Sequence, residues 1–209
     1  MGTSINLNNV GKQFEGEWIL KSVSLSFNHA NCYHISGSNG SGKSTLLKLL
    51  AGFSIPSKGS INWSADGKII DYTEINYHIS WCAPYLELFL NLTLAQTFDF
   101  VAANKKMQVE SALEFAKILE LEHAIDKSLK NYSSGMLQRV KLGLAILSTS
   151  DFCLIDEPCS NLDSNAIEWY KILLQKHKKN RLVIIASNDD KNETFCCNQK
   201  INVADYKFY

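Results

Sequence analysis

The run Gly37-Ser38-Asn39-Gly40-Ser41-Gly42-Lys43-Ser44 has the spacing G-x-x-x-x-G-K-[ST], which is suited to cradling a polyphosphate. Its glycines let backbone N–H groups turn inward around the phosphates, Lys43 reaches the β/γ oxygens, and the Ser44 hydroxyl is a ligand for Mg²⁺. Residues Gly37 through Thr45 are therefore the expected phosphate contacts. A second group, Phe152-Cys153-Leu154-Ile155-Asp156-Glu157, reads as a buried strand that ends in two carboxylates. Asp156 there can organise the Mg²⁺ shell, and Glu157 can polarise an attacking water. Taken alone, two acids after a strand are a common loop start. Downstream of a phosphate loop, and followed by Pro158, they read as the second half of a nucleotide-hydrolysing site.

Such residues need elements to hold them. Asn31 to Ser36 is a predicted strand entering the loop, and Thr45 to Leu50 a helix leaving it, with its positive N-terminal end toward the anion. Val23, Leu25 and Phe27 alternate with serines, the period-2 pattern of a half-buried antiparallel strand. Ser60–Trp63 and Lys68–Ile70 are two further short strands around an Asp66-Gly67 turn. From Leu92 to Leu147 the apolar residues recur at helical spacing, with Thr93 and Ser133 as N-caps. Phe152–Ile155 and Leu182–Ala186 are continuous apolar runs separated by a helical stretch from Asp163 to Lys179, as parallel strands covered on both faces should be. The tail, Lys200 to Asp205, returns to strand-like alternation. The predicted fold is α/β: a mainly parallel nucleotide-binding core with an antiparallel β edge. All 209 residues form one domain, with 1–85 and 150–209 as the core and about 86–149 as a helical insertion.

Bulk properties narrow the function classes. Lys plus Arg and Asp plus Glu both number 21, which removes the electrostatic footprint of a nucleic-acid binder. No apolar window is long enough to span a bilayer, and Met1–Val10 is polar and strand-like, unlike a signal peptide. The six cysteines form no C-x-x-C pair. Adjacent Cys196 and Cys197 could share a metal, but no second pair of ligands lies nearby at suitable spacing, so the reading is reduced, mostly buried thiols in a cytosolic protein. The basic run from Lys176 to Arg181 reads as a solvated helix end, and Trp63 and Trp81 as packing in the β region. Tyr85-Leu86 and Leu88-Phe89-Leu90 suit either a surface groove for an incoming helix or ordinary core packing.

Between the two nucleotide motifs lies Tyr132-Ser133-Ser134-Gly135-Met136-Leu137-Gln138-Arg139. Here the sequence resembles the ATPases of ATP-binding cassette (ABC) transporters, whose signature is usually Leu-Ser-Gly-Gly-Gln followed by x-Gln-Arg. Ser133, Gly135, Gln138 and Arg139 match, whereas Tyr132, Ser134 and Met136 depart. A serine hydroxyl and N–H groups at a helix tip make a second anion site. Ser160-Asn161-Leu162-Asp163 resembles the family's Ser-Ala-Leu-Asp loop. Lys12-Gln13-Phe14 falls where the family stacks an aromatic ring on adenine, which nominates Phe14 with Trp18 in reserve. The alternative is that Phe14 is a strand-edge apolar residue.

The resemblance implies an ATP- and Mg²⁺-dependent hydrolase. It would pair head to tail with a second copy or a related ATPase subunit, each ATP held by one cassette and clasped by Ser133 and Gly135 of the other. A separate transmembrane permease would dock it to the inner face of a membrane from the cytoplasm. Two positions depart from the family. Pro84 stands where a glutamine is usual, with Tyr85 or Glu87 as candidates to compensate. Ser187-Asn188 stands where Thr-His is usual. Asn188 can still donate a hydrogen bond to a γ-phosphate but cannot carry charge. Those departures support one rival, a nucleotide-gated regulatory module with little hydrolysis. A second rival, a soluble ABC ATPase outside transport, would usually carry a coiled-coil insertion, a second cassette or marked basicity, none of which the sequence shows. The transported substrate and direction are not written in this chain.

Overall fold

The computed structural model describes residues 2–29, 31–178 and 181–206. In chain order it runs β1 (Ser4–Phe14), β2 (Glu17–Asn28), β3 (Cys32–Ser36), α1 (Lys43–Leu50), β4 (Lys58–Ala65), β5 (Lys68–Ile70), α2 (Ile75–His78), β6 (Ile79–Cys82), α3 (Leu94–Ala102), α4 (Ala112–Ile118), α5 (Ser134–Leu147), β7 (Phe152–Asp156), α6 (Ser164–His177), β8 (Leu182–Ser187) and β9 (Gln199–Asn202). Strands β2-β1-β4-β5 form an antiparallel sheet and β6-β7-β8-β3-β9 a second sheet whose pairings are all parallel. The α/β class with an antiparallel edge is thus the fold observed.

Local chemistry accounts for these elements. β1 and β2 meet at Glu15 (φ 49°) and Gly16 (φ 88°), and β4 and β5 at Asp66 (φ 51°) and Gly67 (φ 78°). Two consecutive positive φ values match the twist of the flanking strands in a two-residue hairpin. Thr93 caps α3 in a reciprocal capping box with Gln96, and Ser133 caps α5 by accepting from the Met136 N–H at 3.2 Å.

The parallel strands are buried on both faces and divide the core between them. Phe152, Leu154, Leu182 and Ile184 pack with α1 and the antiparallel sheet. Their alternates Cys153, Ile155, Val183 and Ile185 pack with the helices between β6 and β7 and with α6. This is the period-2 alternation of strands, with both sides covered.

Two expectations change. The tail is a strand only as far as Asn202, after which Val203–Tyr206 closes into a 3₁₀ turn. Trp63 and Trp81 do pack in β structure, Trp63 in β4 with its indole N–H donating to Leu50 O at 2.8 Å, and Trp81 in β6, edge-on to Phe53 and against the core shared with the antiparallel sheet. Arg181 is not a solvated end of the basic run. It is buried and donates to Ile146 O (2.7 Å), Ala145 O (3.3 Å), Ser80 Oγ (2.6 Å), and the carbonyl (3.0 Å) and hydroxyl (2.6 Å) of Ser150. Carbonyls left at the end of α5 need donors, and a five-donor guanidinium fits several at once. Lys179 and Asn180 of that run lie outside the described residues.

Candidate functional site

Because the sheet is parallel, the C-terminal ends of its strands emerge on one side, where ligands of open α/β sheets bind. β3 delivers the loop Gly37–Gly42, β7 delivers Asp156 and Glu157, and β8 delivers Ser187 and Asn188. Asp156 is in register with Ala186, which faces Ile35 on the other side. Gly42 is the N-cap of α1 with φ 104°, and a Cβ there would come within 3.2 Å of both Ile19 and Leu20. Only glycine combines that backbone with that approach.

Lys43 is buried, yet its ammonium group donates to Gly37 O (2.8 Å), Ser38 O (3.2 Å) and Asn188 Oδ1 (2.5 Å). Asn188 in turn donates from Nδ2 to Asn39 Oδ1 at 2.7 Å. The amide at the family's histidine position therefore bridges the lysine and the tip of the phosphate loop. Ser41 is 4 % exposed, and its hydroxyl, lying toward Gly37, has no hydrogen-bond partner.

Asp156 is 2 % exposed, and its Oδ1 also lacks a partner. Burial raises its pKa above the ordinary carboxylate value and the charge of Glu157 adds to that, while the Ser44 hydroxyl and Lys43 pull it back. An unpartnered buried carboxylate oxygen beside a serine hydroxyl is an all-oxygen donor set that fits Mg²⁺. Glu157 follows with φ 46° and its N–H on Ala186 O at 3.0 Å. A positive φ at a non-glycine residue is strain of the kind found at functional sites.

Pro84 carries no side-chain donor; its carbonyl accepts from Lys141 Nζ at 2.8 Å. Of the two candidates to compensate, the structure brings Tyr85 toward the acids. Its pKa is raised by burial and then by the charge of Asp156, and Lys48 lies 4.3 Å from its ring centre. Both residues are exposed, Tyr85 at 46 %, and both line the same apolar groove.

Ser133 and Gly135 do not join this cluster. They line a separate cleft with Ser134, Arg139, Asn161 and Asp163, and none of residues 37–45 borders it. Ser133 and Ser134 are exposed at the tip of α5. A Cβ on Gly135 would stand 3.0 Å from Asn161 O, so glycine there lets the helix touch the 160–163 loop. Asp163 caps α6 by accepting from the Ala166 N–H at 2.8 Å. Gln138 is buried and donates to Pro158 O at 3.0 Å, next to Glu157, whereas Arg139 bonds Glu120 (2.5 Å) and lies over Trp169. Phe14 is 52 % exposed with the Lys12 ammonium 4.9 Å from its ring centre; Trp18 is 37 % exposed against Gly11.

The sequence model of the ABC transporter family matches residues 20–160. The chain belongs to the ABC transporter family. As such it is an ATP-binding ATPase cassette. It is 30 % identical over 205 residues to the zinc import ATP-binding protein ZnuC of Mannheimia succiniciproducens, covering 94 % of this chain and 74 % of that one. It is 31 % identical over 208 residues to the maltose/maltodextrin import ATP-binding protein MalK of Aliivibrio fischeri, covering 97 % of the cassette and 56 % of the relative. Among solved structures, the dimeric post-hydrolysis state of the ATP-binding cassette MJ0796 bound to ADP and Pi superposes with a TM-score of 0.80 at 25 % identity. That match covers 95 % of this cassette and 93 % of that chain.

One cluster escaped sequence reasoning. The thiols of Cys32, Cys196 and Cys197 gather at the start of β3, although the sequence offered only the adjacent pair. Hydrogen bonds from Cys197 and Cys32 hold the Cys196 thiol down to about 4, and donation to Cys196 raises the other two.

Proposed function

We propose that this cassette drives transport by pairing head to tail with a second copy or a related ATPase subunit, with ATP between them. Residues Gly37 to Thr45 of one cassette hold the triphosphate, and Ser133 and Gly135 of the other close over its γ-phosphate. The observation that carries this reading is the split between two sites. The phosphate loop, Asp156, Glu157 and Asn188 converge, while the serine-led helix tip opens into a different cleft of the same chain. A serine-led helix tip exposed in a cleft offers N–H groups that suit a phosphate brought by a neighbour.

In this reading Lys43 turns its donors from the carbonyls of Gly37 and Ser38 to phosphate oxygens. Ser44 and Asp156 hold Mg²⁺, which when bound neutralises charge developing on the transferred phosphoryl group. Glu157 orients the attacking water and accepts its proton. Asn188 supports the γ-phosphate through its amide, Tyr85 takes the place left by Pro84, and Phe14 stacks on adenine. The rigid core comprises 1–85 and 150–209, and the helical arm about 86–149. A separate permease docks its helix in the apolar groove of about 620 Å³ that includes Phe53, Trp81, Tyr85, Phe89 and Phe100. Among the described residues no helix is long and apolar enough to cross a membrane. In this reading the cassette attaches from the cytoplasmic side through that partner.

Complementation between two inactive variants tests the arrangement. Lys43→Ala and Ser133→Arg should each fail to pair on ATP, measured by light scattering with Glu157→Gln present to prevent turnover. Mixed, they should pair again, because a heterodimer keeps one intact composite site. Pairing by either variant alone, or no recovery in the mixture, would overturn the head-to-tail reading.

A further inference from the structure

Cys32 opens β3, whereas Cys196 and Cys197 lie in the turn that precedes β9. The Cys32 Sγ is 3.1 Å from that of Cys197 and 3.3 Å from that of Cys196, and all three sulfurs lie within 4.8 Å of one another. The cluster sits at the N-terminal end of β3, and the phosphate loop leaves from its other end. The two segments are stitched together by backbone and amide groups. Cys32 N–H donates to Asn198 Oδ1 (3.0 Å), Asn198 N–H to Cys32 O (2.9 Å), and Asn198 Nδ2 to Asn31 Oδ1 (3.0 Å). Parallel pairing of β9 with β3 continues the seam. Cys32 is buried and the adjacent pair half-buried, so the group has a wall on one side and an approach from the other. Phe195, edge-on to buried Tyr170, packs beside it.

We propose that Cys32, Cys196 and Cys197 together bind one thiophilic d¹⁰ cation, Zn²⁺ or Cu⁺, as three thiolates. Sulfur-only ligation selects these ions over Mg²⁺, Ca²⁺ or Mn²⁺, which take oxygen. Three thiolates around an ion at ~2.3 Å stand ~3.8 Å apart, so the pairs at 3.1 and 3.3 Å need to spread by roughly 0.7 and 0.5 Å. The half-buried turn carrying Cys196 and Cys197 can give that much, while Cys32 is fixed by its strand. Three ligands complete a Cu⁺ site and leave Zn²⁺ one position for water. On binding, Cys196 enters as the thiolate it already is, the S–H bonds of Cys32 and Cys197 give way to metal–sulfur bonds, and two protons pass to buffer; no electron changes hands. A disulfide is the competing fate of close thiols, but it would use only two of the three and would need sulfur contact near 2.05 Å. The site makes no use of the nucleotide residues and holds or falls independently of the transport reading.

The experiment uses the full chain, purified anaerobically under reductant and stripped with chelator. Zn²⁺ and, separately, Cu⁺ are titrated against a chromophoric competitor, and Co²⁺ serves as a spectroscopic probe of sulfur ligation. The expected result is one equivalent of Zn²⁺ or Cu⁺, a cobalt–thiolate charge-transfer band, and a metal-dependent rise in melting temperature. Cys32→Ser and Cys197→Ala should each lower affinity at least ~100-fold, while Cys159→Ser, outside the cluster, should not change it. Cys196→Ala, in the half-buried turn, provides the same test should Cys32→Ser fail to fold. Absence of stoichiometric binding of either ion to fully titratable thiols would overturn the proposal. So would binding that survives loss of all three cysteines.

Discussion

Replacing Asp156 by asparagine should make this protein more stable and less able to work. The carboxylate is 2 % exposed and its Oδ1 has no hydrogen bond. A buried acceptor left unsatisfied costs about 1–3 kcal/mol. Asn keeps the shape and removes the charge, so in the presence of a chelator the variant should gain about 1–2 kcal/mol at pH 7.5. For a chain of this size that is roughly 2–8 °C in Tm. The pH dependence follows from the raised native pKa. Between the ordinary 3.8 and the native value, the folded state binds the proton better than the unfolded one. Wild-type stability therefore falls as pH rises through that window, and the full penalty applies above it. The advantage of Asp156→Asn should be complete at neutral pH and shrink as the solution is acidified toward pH 4. Adding Mg-ATP should reverse the order. A ligand at a hundredfold its Kd stabilises the wild type by about 2.7 kcal/mol, and the variant should lose most of that. Differential scanning fluorimetry with chelator, with Mg-ATP and across pH measures all three. A variant no more stable than wild type in chelator, or an advantage equally large at pH 4 and 7.5, would refute the reasoning.

Glu157→Gln should cut phosphate release by about 10²- to 10⁴-fold while leaving ATP binding intact, read by a turnover assay beside a fluorescent-nucleotide titration. Tyr85→Phe keeps the ring on Lys48 and Trp81 but removes the hydroxyl near Asp156; hydrolysis should slow by roughly tenfold with Tm unchanged, and a rate equal to wild type would return the Pro84 position to an uncompensated loss. Ser133→Ala should cost ~1 kcal/mol through the lost helix cap, and Ser133→Asp should restore that stability but not ATP-driven pairing, since the carboxylate repels phosphate. Arg181→Ala takes the guanidinium donors from Ala145 O, from Ser150 O and from Ile146 O, which keeps only Gln108 Nε2, and should cost about 3 kcal/mol, seen in urea unfolding with the nucleotide contacts untouched.

What the sequence disclosed was local. The phosphate loop, the acid pair after β7, the Thr93 and Ser133 caps and the Asp66-Gly67 hairpin are each written in a handful of consecutive residues, and propensity and tertiary context agree there. Arg181 was misread because a basic run after a helix looks solvated from spacing alone. Its acceptors, Ser80, Ala145 and Ile146, come from elements 35 or more residues away. The thiol cluster was missed for the same reason. Its partners are separated by 164 and 165 residues and meet only because β9 pairs with β3. Tyr85 could be named from sequence but not chosen over Glu87, since the choice depends on how the chain turns after β6.

The Arg181 guanidinium grips the last carbonyls of α5 together with Ser80 of β6 and Ser150 before β7. The opposite end of that helix is the exposed serine tip. Fourteen residues separate the two, a rod ~21 Å long. A tilt of about 10° around the riveted base would sweep Ser133 through roughly 3.5 Å, and the Gly135–Asn161 contact would carry the 160–163 loop along with it. A lever of that length turns a small rocking of the helical arm into the difference between a hydroxyl out of reach of a phosphate and one bonded to it.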